Sequence, residues 1–181
     1  MNLAILLGIL LSNGALVAVI LTAFGFFSGG GTATHVFWAL AATLLTLFSH
    51  CLVMFYLIGT GKMVKEILAE AQGEGIDAAE YRRRLLSFKH RGFPLPTYAI
   101  VAVMVTFIVG AGVHTGAVPK LLHTALALFA LLLNLVASWR EVRILIENGM
   151  LILELDEAIQ RSRGGRNEQA VPSDEEASVS S

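Results

Sequence analysis

Residues 34–60 read THVFWALAATLLTLFSHCLVMFYLIGT and contain no aspartate, glutamate, lysine or arginine. An α-helix needs about 20 consecutive apolar residues to cross the roughly 30 Å hydrocarbon core of a bilayer, and this run is long enough to do so. Three further apolar runs lie at about residues 3–27, 97–115 and 121–139. The sequence therefore predicts an all-α fold built as a four-helix transmembrane bundle.

The composition of the 181-residue chain favours an integral membrane protein. Hydrophobic residues make up 55% of the chain and charged residues only 15%, and the mean hydropathy is +0.69. Soluble domains usually carry about 25% charged residues. The charges are also segregated, because none occurs before Lys62 and Lys120 stands alone between Phe93 and Ser138. The small size and the absence of a targeting signal favour a bacterial inner membrane.

The distribution of lysine and arginine predicts how the bundle is oriented. Seven of these residues lie between the second and third spans and five follow the fourth span, whereas the two other connections together hold one. Short loops rich in lysine and arginine remain in the cytoplasm. Both basic segments are therefore predicted to be cytoplasmic, and so are the N- and C-termini.

The charge and hydropathy patterns divide the chain into five segments. They are a first transmembrane hairpin (1–61), a cytoplasmic helical loop (62–94), a second transmembrane hairpin (95–139), a cytoplasmic helix (140–161) and a disordered tail (162–181). The second and fourth spans are thus predicted to continue as cytoplasmic helical extensions. Within the loop, Asp77 has the residue type and spacing of an N-cap for a basic amphipathic helix.

Three polar residues inside the spans, Asn13, His50 and Asn134, are predicted to form a buried cluster. A polar side chain within a membrane costs free energy unless it finds a partner, so it should face the bundle interior. At a rise of about 1.5 Å per residue the three lie at similar depth. Further candidates for this cluster are Ser12, Ser49 and Ser138. For His50, a structural hydrogen bond to Asn134 or Asn13 is favoured over a role as proton relay or ligand.

Three histidines, His35, His114 and His123, begin or end spans at the opposite side of the membrane. Imidazole is a common axial ligand of haem, so two of them on facing helices could bind haem b. All three at one level could instead bind a copper or zinc ion. The third interpretation, which the absence of a ligand-spacing motif favours, is that they are interfacial residues bonded to backbone or water.

Several functional classes receive no support from the sequence. The basic residues are mixed with acidic ones and form no broad patch, so nucleic-acid binding is not expected. Cys51 is the only cysteine, which excludes a CxxC motif. Phosphate-binding glycine loops and serine-nucleophile or HExxH motifs are also missing from the sequence, which argues against an enzyme.

Three hypotheses of function remain, and the absence of catalytic motifs favours the first of them. The first is a non-catalytic accessory or scaffolding subunit that contacts a protein partner, or a second copy of itself, through the cytoplasmic helices. The second is a redox subunit that binds haem b through the histidines of the outer side. The third is a small oligomeric transporter, against which counts the expectation that no buried carboxylate lies in the membrane core.

Overall fold

The computed structural model describes residues 3–25 and 31–170, with side chains as far as residue 165. Every regular element in these ranges is a helix: α1 (Leu3–Ala23), α2 (Thr32–Glu70), α3 (Ala78–Gly92), α4 (Pro94–His114) and α5 (Lys120–Ala170). Among the described residues, prolines occur only where helices begin: Pro94 and Pro96 lie in the first turn of α4, and Pro119 immediately precedes α5. At these positions the missing N–H group of proline costs no helical hydrogen bond. The all-α prediction is confirmed.

Four helical segments are long and apolar enough to cross a membrane: α1, α2, α3 together with α4, and α5. The 21 residues of α1 give a length of about 31 Å, close to the thickness of the hydrocarbon core. Large apolar side chains point away from the protein on each of the four, for example Leu10, Phe48, Ile108 and Leu132. A soluble monomer rarely exposes so much contiguous apolar surface, so lipid is the medium that suits these faces.

The helix ends differ in part from the predicted segments. Helix α2 passes residue 61 and ends at Glu70, and α5 is continuous from Lys120 to Ala170, where the sequence analysis placed the start of a tail at residue 162. Helix α1 ends at Ala23 because the chain turns at Gly25, which has a positive φ of 77°. The predicted end of span one at residue 27, the glycine-rich turn and the last part of the tail (26–30 and 171–181) lie outside the described residues.

The four spanning helices pack as two antiparallel hairpins. Thr22 near the end of α1 contacts His35 near the start of α2, and Thr106 in α4 contacts the backbone of Leu126 in α5. Helices α2 and α5 run parallel, since the contacts His50–Glu141 and Thr60–Asn148 join residues 91 and 88 positions apart along the chain. The end of the bundle at which α1 and α4 finish is called the connection end. The opposite end, beyond which α2 and α5 continue, is called the extension end.

Beyond the extension end, α2, α3 and α5 form a three-helix bundle with its own apolar core. The buried side chains of this core are Val64 and Leu68 from α2, Leu85 and Phe88 from α3, and Leu151, Leu155 and Ile159 from α5. They recur at intervals of three or four residues, which places them on one face of each helix. The core is continuous with that of the spanning segments, so the extensions are anchored to the bundle.

A cap stabilises the start of helix α3, and two ion pairs hold this helix antiparallel to α5. The Asp77 carboxylate accepts hydrogen bonds from the backbone N–H groups two and three residues further on, at 3.0 and 3.2 Å, as the sequence predicted. Arg84 pairs with Glu154 and Arg91 with Glu147. The hydrogen bond from Arg84 lowers the pKa of the Glu154 carboxyl. These partly exposed pairs fix the alignment of α3 more than they add stability.

Two leucines on α5 provide a matched test of the extension core. Leu151 is fully buried (0% exposed), whereas Leu153 is 65% exposed. We expect Leu151→Ala to lower the free energy of unfolding by about 2–5 kcal/mol, because it leaves a cavity. Leu153→Ala should change it by less than about 0.5 kcal/mol. Denaturant unfolding of the detergent-solubilised protein, followed by circular dichroism, measures both; equal losses would contradict the three-helix core.

Candidate functional site

A histidine and a glutamate pair inside the bundle, between α2 and α5. His50 Nδ1 lies 2.8 Å from Glu141 Oε1, and each side chain is only 1% exposed. His50 is buried because it shares a face of α2 with Thr46, Val53 and Leu57, which are also buried. Charged or ionisable groups are rarely fully buried unless paired, and within membrane spans such residues usually mark functional sites.

The pair lies toward the extension end of the spanning bundle. Gly8 of α1 is opposite Ser49, with 3.5 Å between the Ser49 hydroxyl and the position of a Cβ at Gly8. His50 is therefore about five residues, or roughly 8 Å, from the level at which α1 begins. A Cβ at position 8 would be in ordinary van der Waals contact with Ser49, so α1 packs closely against α2 at this site.

Buried polar residues from three helices surround the pair. They are Ser12 and the partly buried Asn13 in α1, Thr46 and Ser49 in α2, and Asn134 and Ser138 in α5. Asn13 Nδ2 donates hydrogen bonds to the Ser138 hydroxyl and to the carbonyl of Ile9, both at 2.8 Å. Of the predicted cluster, Asn13 thus bonds to Ser138 and His50 to Glu141. Asn134 is fully buried but forms no hydrogen bond to either within the described chain.

Many polar atoms at this level have no hydrogen-bond partner among the described residues. They are Asn13 Oδ1, Thr46 Oγ1, Ser49 Oγ, His50 Nε2, Glu141 Oε2 and both side-chain polar atoms of Asn134. A buried polar atom without a partner costs about 1–3 kcal/mol, and a native protein contains few of them. Such a concentration is typical of a site that holds water or passes a proton, rather than of a closed structural network.

No lysine or arginine forms an ion pair with Glu141 in the described residues. The nearest cations along α5 are Arg140 and Arg143, both exposed, and the Arg143 guanidinium stacks on the Trp139 ring at 4.3 Å. Helix α1 contributes no charged side chain at all. His50 is therefore the only titratable partner of this carboxyl in the part of the chain that the structure describes, and a proton can be shared between the two side chains.

A second polar contact lies further toward the extensions. Asn148 is buried and its Nδ2 donates to the Thr60 hydroxyl at 3.1 Å. Asn134, Glu141 and Asn148 follow one another at seven-residue intervals, which places them on one face of α5. The sequence analysis placed residue 141 in the predicted cytoplasmic helix (140–161), and it singled out neither Glu141 nor Asn148. The seven-residue spacing was the signal that could have found both.

At the connection end, two of the three outer histidines line one cavity of about 130 Å³. His35 in the first turn of α2 and His123 in the first turn of α5 face it, together with Thr43, Thr106 and Thr124. The rest of its wall is apolar and comes from all four spanning helices. His114, at the end of α4, is exposed and does not line the cavity. The structure thus brings together His35 and His123 but not His114.

The cavity does not fit a haem group. Its volume of about 130 Å³ is below the roughly 300–1,000 Å³ of ligand pockets and close to the roughly 150 Å³ that holds a benzene molecule. A porphyrin between His35 and His123 would require the four helices to move apart. Among the described residues, no group of three or more histidine, cysteine, aspartate or glutamate side chains could hold a metal ion.

Comparisons with protein-family models, characterised proteins and solved structures found no match to this chain. Its function must therefore be argued from the residues just described, of which the His50–Glu141 pair and the cavity are the most unusual.

Removing one member of the buried pair should destabilise the protein more than replacing both members by leucine. We expect Glu141→Leu to lower the free energy of unfolding by about 3–5 kcal/mol, because it leaves His50 buried without a partner. The double change His50→Leu with Glu141→Leu should be closer to the wild type than either single change. Unfolding in mixed detergent micelles measures this cycle.

The matched control is Glu147→Leu, since Glu147 lies six residues further along α5 and pairs with Arg91 at the surface. It should cost less than about 1 kcal/mol. Additive effects of the two single changes at positions 50 and 141 would show that the residues do not interact.

Proposed function

We propose that this chain is an integral membrane protein that moves protons across the membrane, with His50 and Glu141 as its proton-carrying residues. The observation that carries the proposal is the buried pair, in which His50 Nε2 and Glu141 Oε2 have no partner among the described residues. The expected lack of a buried carboxylate was the main argument against a transporter. The position of Glu141 removes that argument.

A line of polar groups supports the proposal by linking the cavity to the pair. The cavity reaches Thr43 on α2 and Ala130 on α5. One turn further lie Thr46 and Asn134, whose buried side-chain atoms lack partners within the described part of the chain. His50 follows one turn after Thr46, about 10 Å along the helix from Thr43. Hydrogen-bonding groups at this spacing need only single waters between them to pass a proton.

The geometry suggests a stepwise relay. Neutral His50 donates a hydrogen bond from Nδ1–H to the Glu141 carboxylate, which leaves the Nε2 lone pair free to take a proton that arrives through water beside Asn134 and Thr46. The imidazolium then gives its Nδ1 proton to Glu141 Oε1, forming a neutral acid. Glu141 releases that proton toward the extension end, and the ring turns over, so that its remaining N–H group, on Nε2, faces Glu141 and the Nδ1 lone pair faces the next proton.

An apolar barrier separates the pair from the extension end in this conformation. Val53 and Leu57 of α2 and Ile144 of α5 are all buried between the pair and the Thr60–Asn148 contact. Release of the proton therefore requires these side chains to move, so the proposed transfer is gated rather than continuous. A gate of this kind prevents a proton leak, which a membrane that stores a proton gradient cannot tolerate.

We further infer a bacterial inner membrane, with the extensions and both termini in the cytoplasm. The basic residues on and around the extensions support this orientation through the positive-inside rule. The connection end then faces the opposite compartment.

Proton flux into liposomes provides the test of this function. The purified protein is reconstituted with a trapped pH-sensitive dye, and a potassium diffusion potential drives protons inward. We expect Glu141→Gln and His50→Gln to reduce the flux at least about tenfold, because neither amide can take up a proton near neutral pH.

Glu147→Gln is the matched control and should leave the flux unchanged, since it removes a carboxyl from the surface of the same helix. Size-exclusion chromatography and thermal unfolding would verify that each variant folds. Wild-type flux no faster than that of empty liposomes would overturn the proposal.

A second candidate function, an accessory subunit, is favoured by one specific observation. Ile146, Met150 and Leu153 form an exposed apolar stripe on α5, at spacings of four and three residues. The stripe continues beyond the spanning part of the helix, where water would otherwise cover it. An apolar helix face of a partner protein is the chemistry that suits such a surface.

Site-specific photocrosslinking in native membranes distinguishes this second function. A photoreactive residue at Met150 should give one discrete protein adduct, and the same residue at the exposed Asp156 should give none. Adducts at both positions, or at neither, would argue against an accessory role.

A further inference from the structure

The cavity at the connection end contains two histidines that the His50–Glu141 relay does not itself use. They lie within the first turns of α2 and α5, about 22 Å along α2 from His50 and about 27 Å along α5 from Glu141. Ala23 and Phe24, at the end of α1, form part of the cavity wall, and Phe24 is mostly exposed. The cavity therefore extends from the end of the bundle where α1 finishes into the interior as far as Thr43 and Ala130.

The hydrogen bonds around His35 assign a role to each of its ring nitrogens. Thr22 Oγ1 lies 2.6 Å from the carbonyl oxygen of Val19 and 3.0 Å from His35 Nδ1. Because the hydroxyl hydrogen goes to the Val19 carbonyl, His35 donates from Nδ1 to the hydroxyl oxygen. The Nε2 atom of the neutral ring is then left as an acceptor, with a lone pair that can take up a proton.

His123 occupies a position that depends on a glycine. A Cβ atom at Gly110 would lie 2.9 Å from His123 Cε1, so any larger residue there would displace the ring. His123 Nδ1 is buried and has no partner among the described residues. The wall thus presents two imidazoles, each with a ring nitrogen available to a ligand.

The size of this cavity and the polar groups in its wall suit a small cluster of water molecules. A volume of about 130 Å³ corresponds to about four water molecules. Cavities with purely apolar walls stay dry, but water is retained where each molecule finds two to four polar partners. Thr43 and Thr106 donate their hydroxyl hydrogens to backbone carbonyls of their own helices, at 2.8 and 2.7 Å. Their oxygens therefore remain as acceptors beside the two histidines.

Few other charges act on this cavity. Among the residues that line it, α1 and α4 contribute no titratable side chain, α2 contributes His35 and α5 contributes His123. Lys120 is exposed in the first turn of α5, and His114 is exposed at the end of α4. Within the described chain no carboxylate lines the cavity, so the two imidazoles are the side chains in its wall that can take up a proton.

We propose that this cavity is the water-filled entrance of the proton pathway, and that His35 and His123 take up protons there from the connection side. The inference rests on the proposed function. A hydrated proton gives its proton to the free Nε2 of His35 and leaves as water. The imidazolium later returns the proton to the water cluster, from which it passes toward Thr46 and Asn134.

Silver-ion protection tests the water-filled cavity without relying on flux. In a Cys51→Ala background, Ala39→Cys places a thiol in the cavity wall, and Leu40→Cys places one on the lipid-facing side of the same turn. Silver ions reach thiols through water but not through lipid. Silver added to liposomes should therefore protect Ala39→Cys, and not Leu40→Cys, from later alkylation of the denatured protein.

Flux measurements then test the role of the histidines. The double variant His35→Gln with His123→Gln should lose at least about fivefold of the flux, and should lose its dependence on connection-side pH between about 5 and 8. His114→Gln is the matched control, as an exposed histidine at the same end, and should remain within about twofold of wild type. Proteolysis of the extensions establishes the orientation of the protein in the vesicles.

The outcomes separate the two proposals. Wild-type flux combined with equal silver protection of both cysteines would overturn the entrance and leave the relay intact. Normal flux and pH dependence in the double histidine variant would do the same. Absence of wild-type flux would overturn the relay and the entrance together, whatever silver reaches.

Discussion

The hydrogen bond between His50 and Glu141 is the constraint on which the arrangement of this bundle depends. Two ionisable side chains are removed from both water and lipid, and each is tolerable there only because the other is 2.8 Å away. Within a membrane, apolar contacts between two helices do little to fix how far one helix is shifted along the other, since a shift replaces one apolar contact by another at little cost. A buried ionisable pair does discriminate, because a shift of one turn would leave both groups without a partner.

The same register is carried into the three-helix extension. Thr60 of α2 with Asn148, and Glu74 in the turn after α2 with Ser162, repeat this alignment with α5 well beyond the pair. In the proposed orientation the extension lies in water, which drives apolar burial into its core of leucine, valine, isoleucine and phenylalanine. The extension would then supply hydrophobic stabilisation that the lipid-embedded part lacks. It can hold the spanning helices in place while the polar interior remains incompletely bonded.

The unpaired polar atoms around His50 are better explained by a function than by helix packing alone. A network that served only to fix helix packing would be expected to satisfy its members, as the Asn13–Ser138 and Thr60–Asn148 contacts do. Around His50 and Asn134, polar atoms instead remain without partners among the described residues. Together with the cavity at the connection end, these atoms form a line of polar groups, unevenly spaced, that leads from that end of the bundle to the His50–Glu141 pair. Such a path destabilises the protein, and proton transfer would explain its presence.

The sequence by itself determined the fold class and the number of spans. Hydrocarbon thickness sets a minimum length for each apolar run, and the 100° rotation per residue places Asn134 and Glu141 on one face of α5. The sequence also indicated the Asp77 cap and which polar residues face inward. These properties depend only on spacing along a single helix, so no knowledge of neighbouring helices is required.

Only the tertiary structure decided which side chains meet. Asn134 or Asn13 was the expected partner of His50, but the observed partner is Glu141, two turns beyond Asn134 along α5. The relative height of two helices depends on the loops that join them, and the sequence does not determine the geometry of those loops. Likewise, three histidines fall at one level by residue counting, yet only His35 and His123 face a common cavity. Helix periodicity gives direction and depth within one helix, whereas the register between helices results from packing summed over the whole bundle.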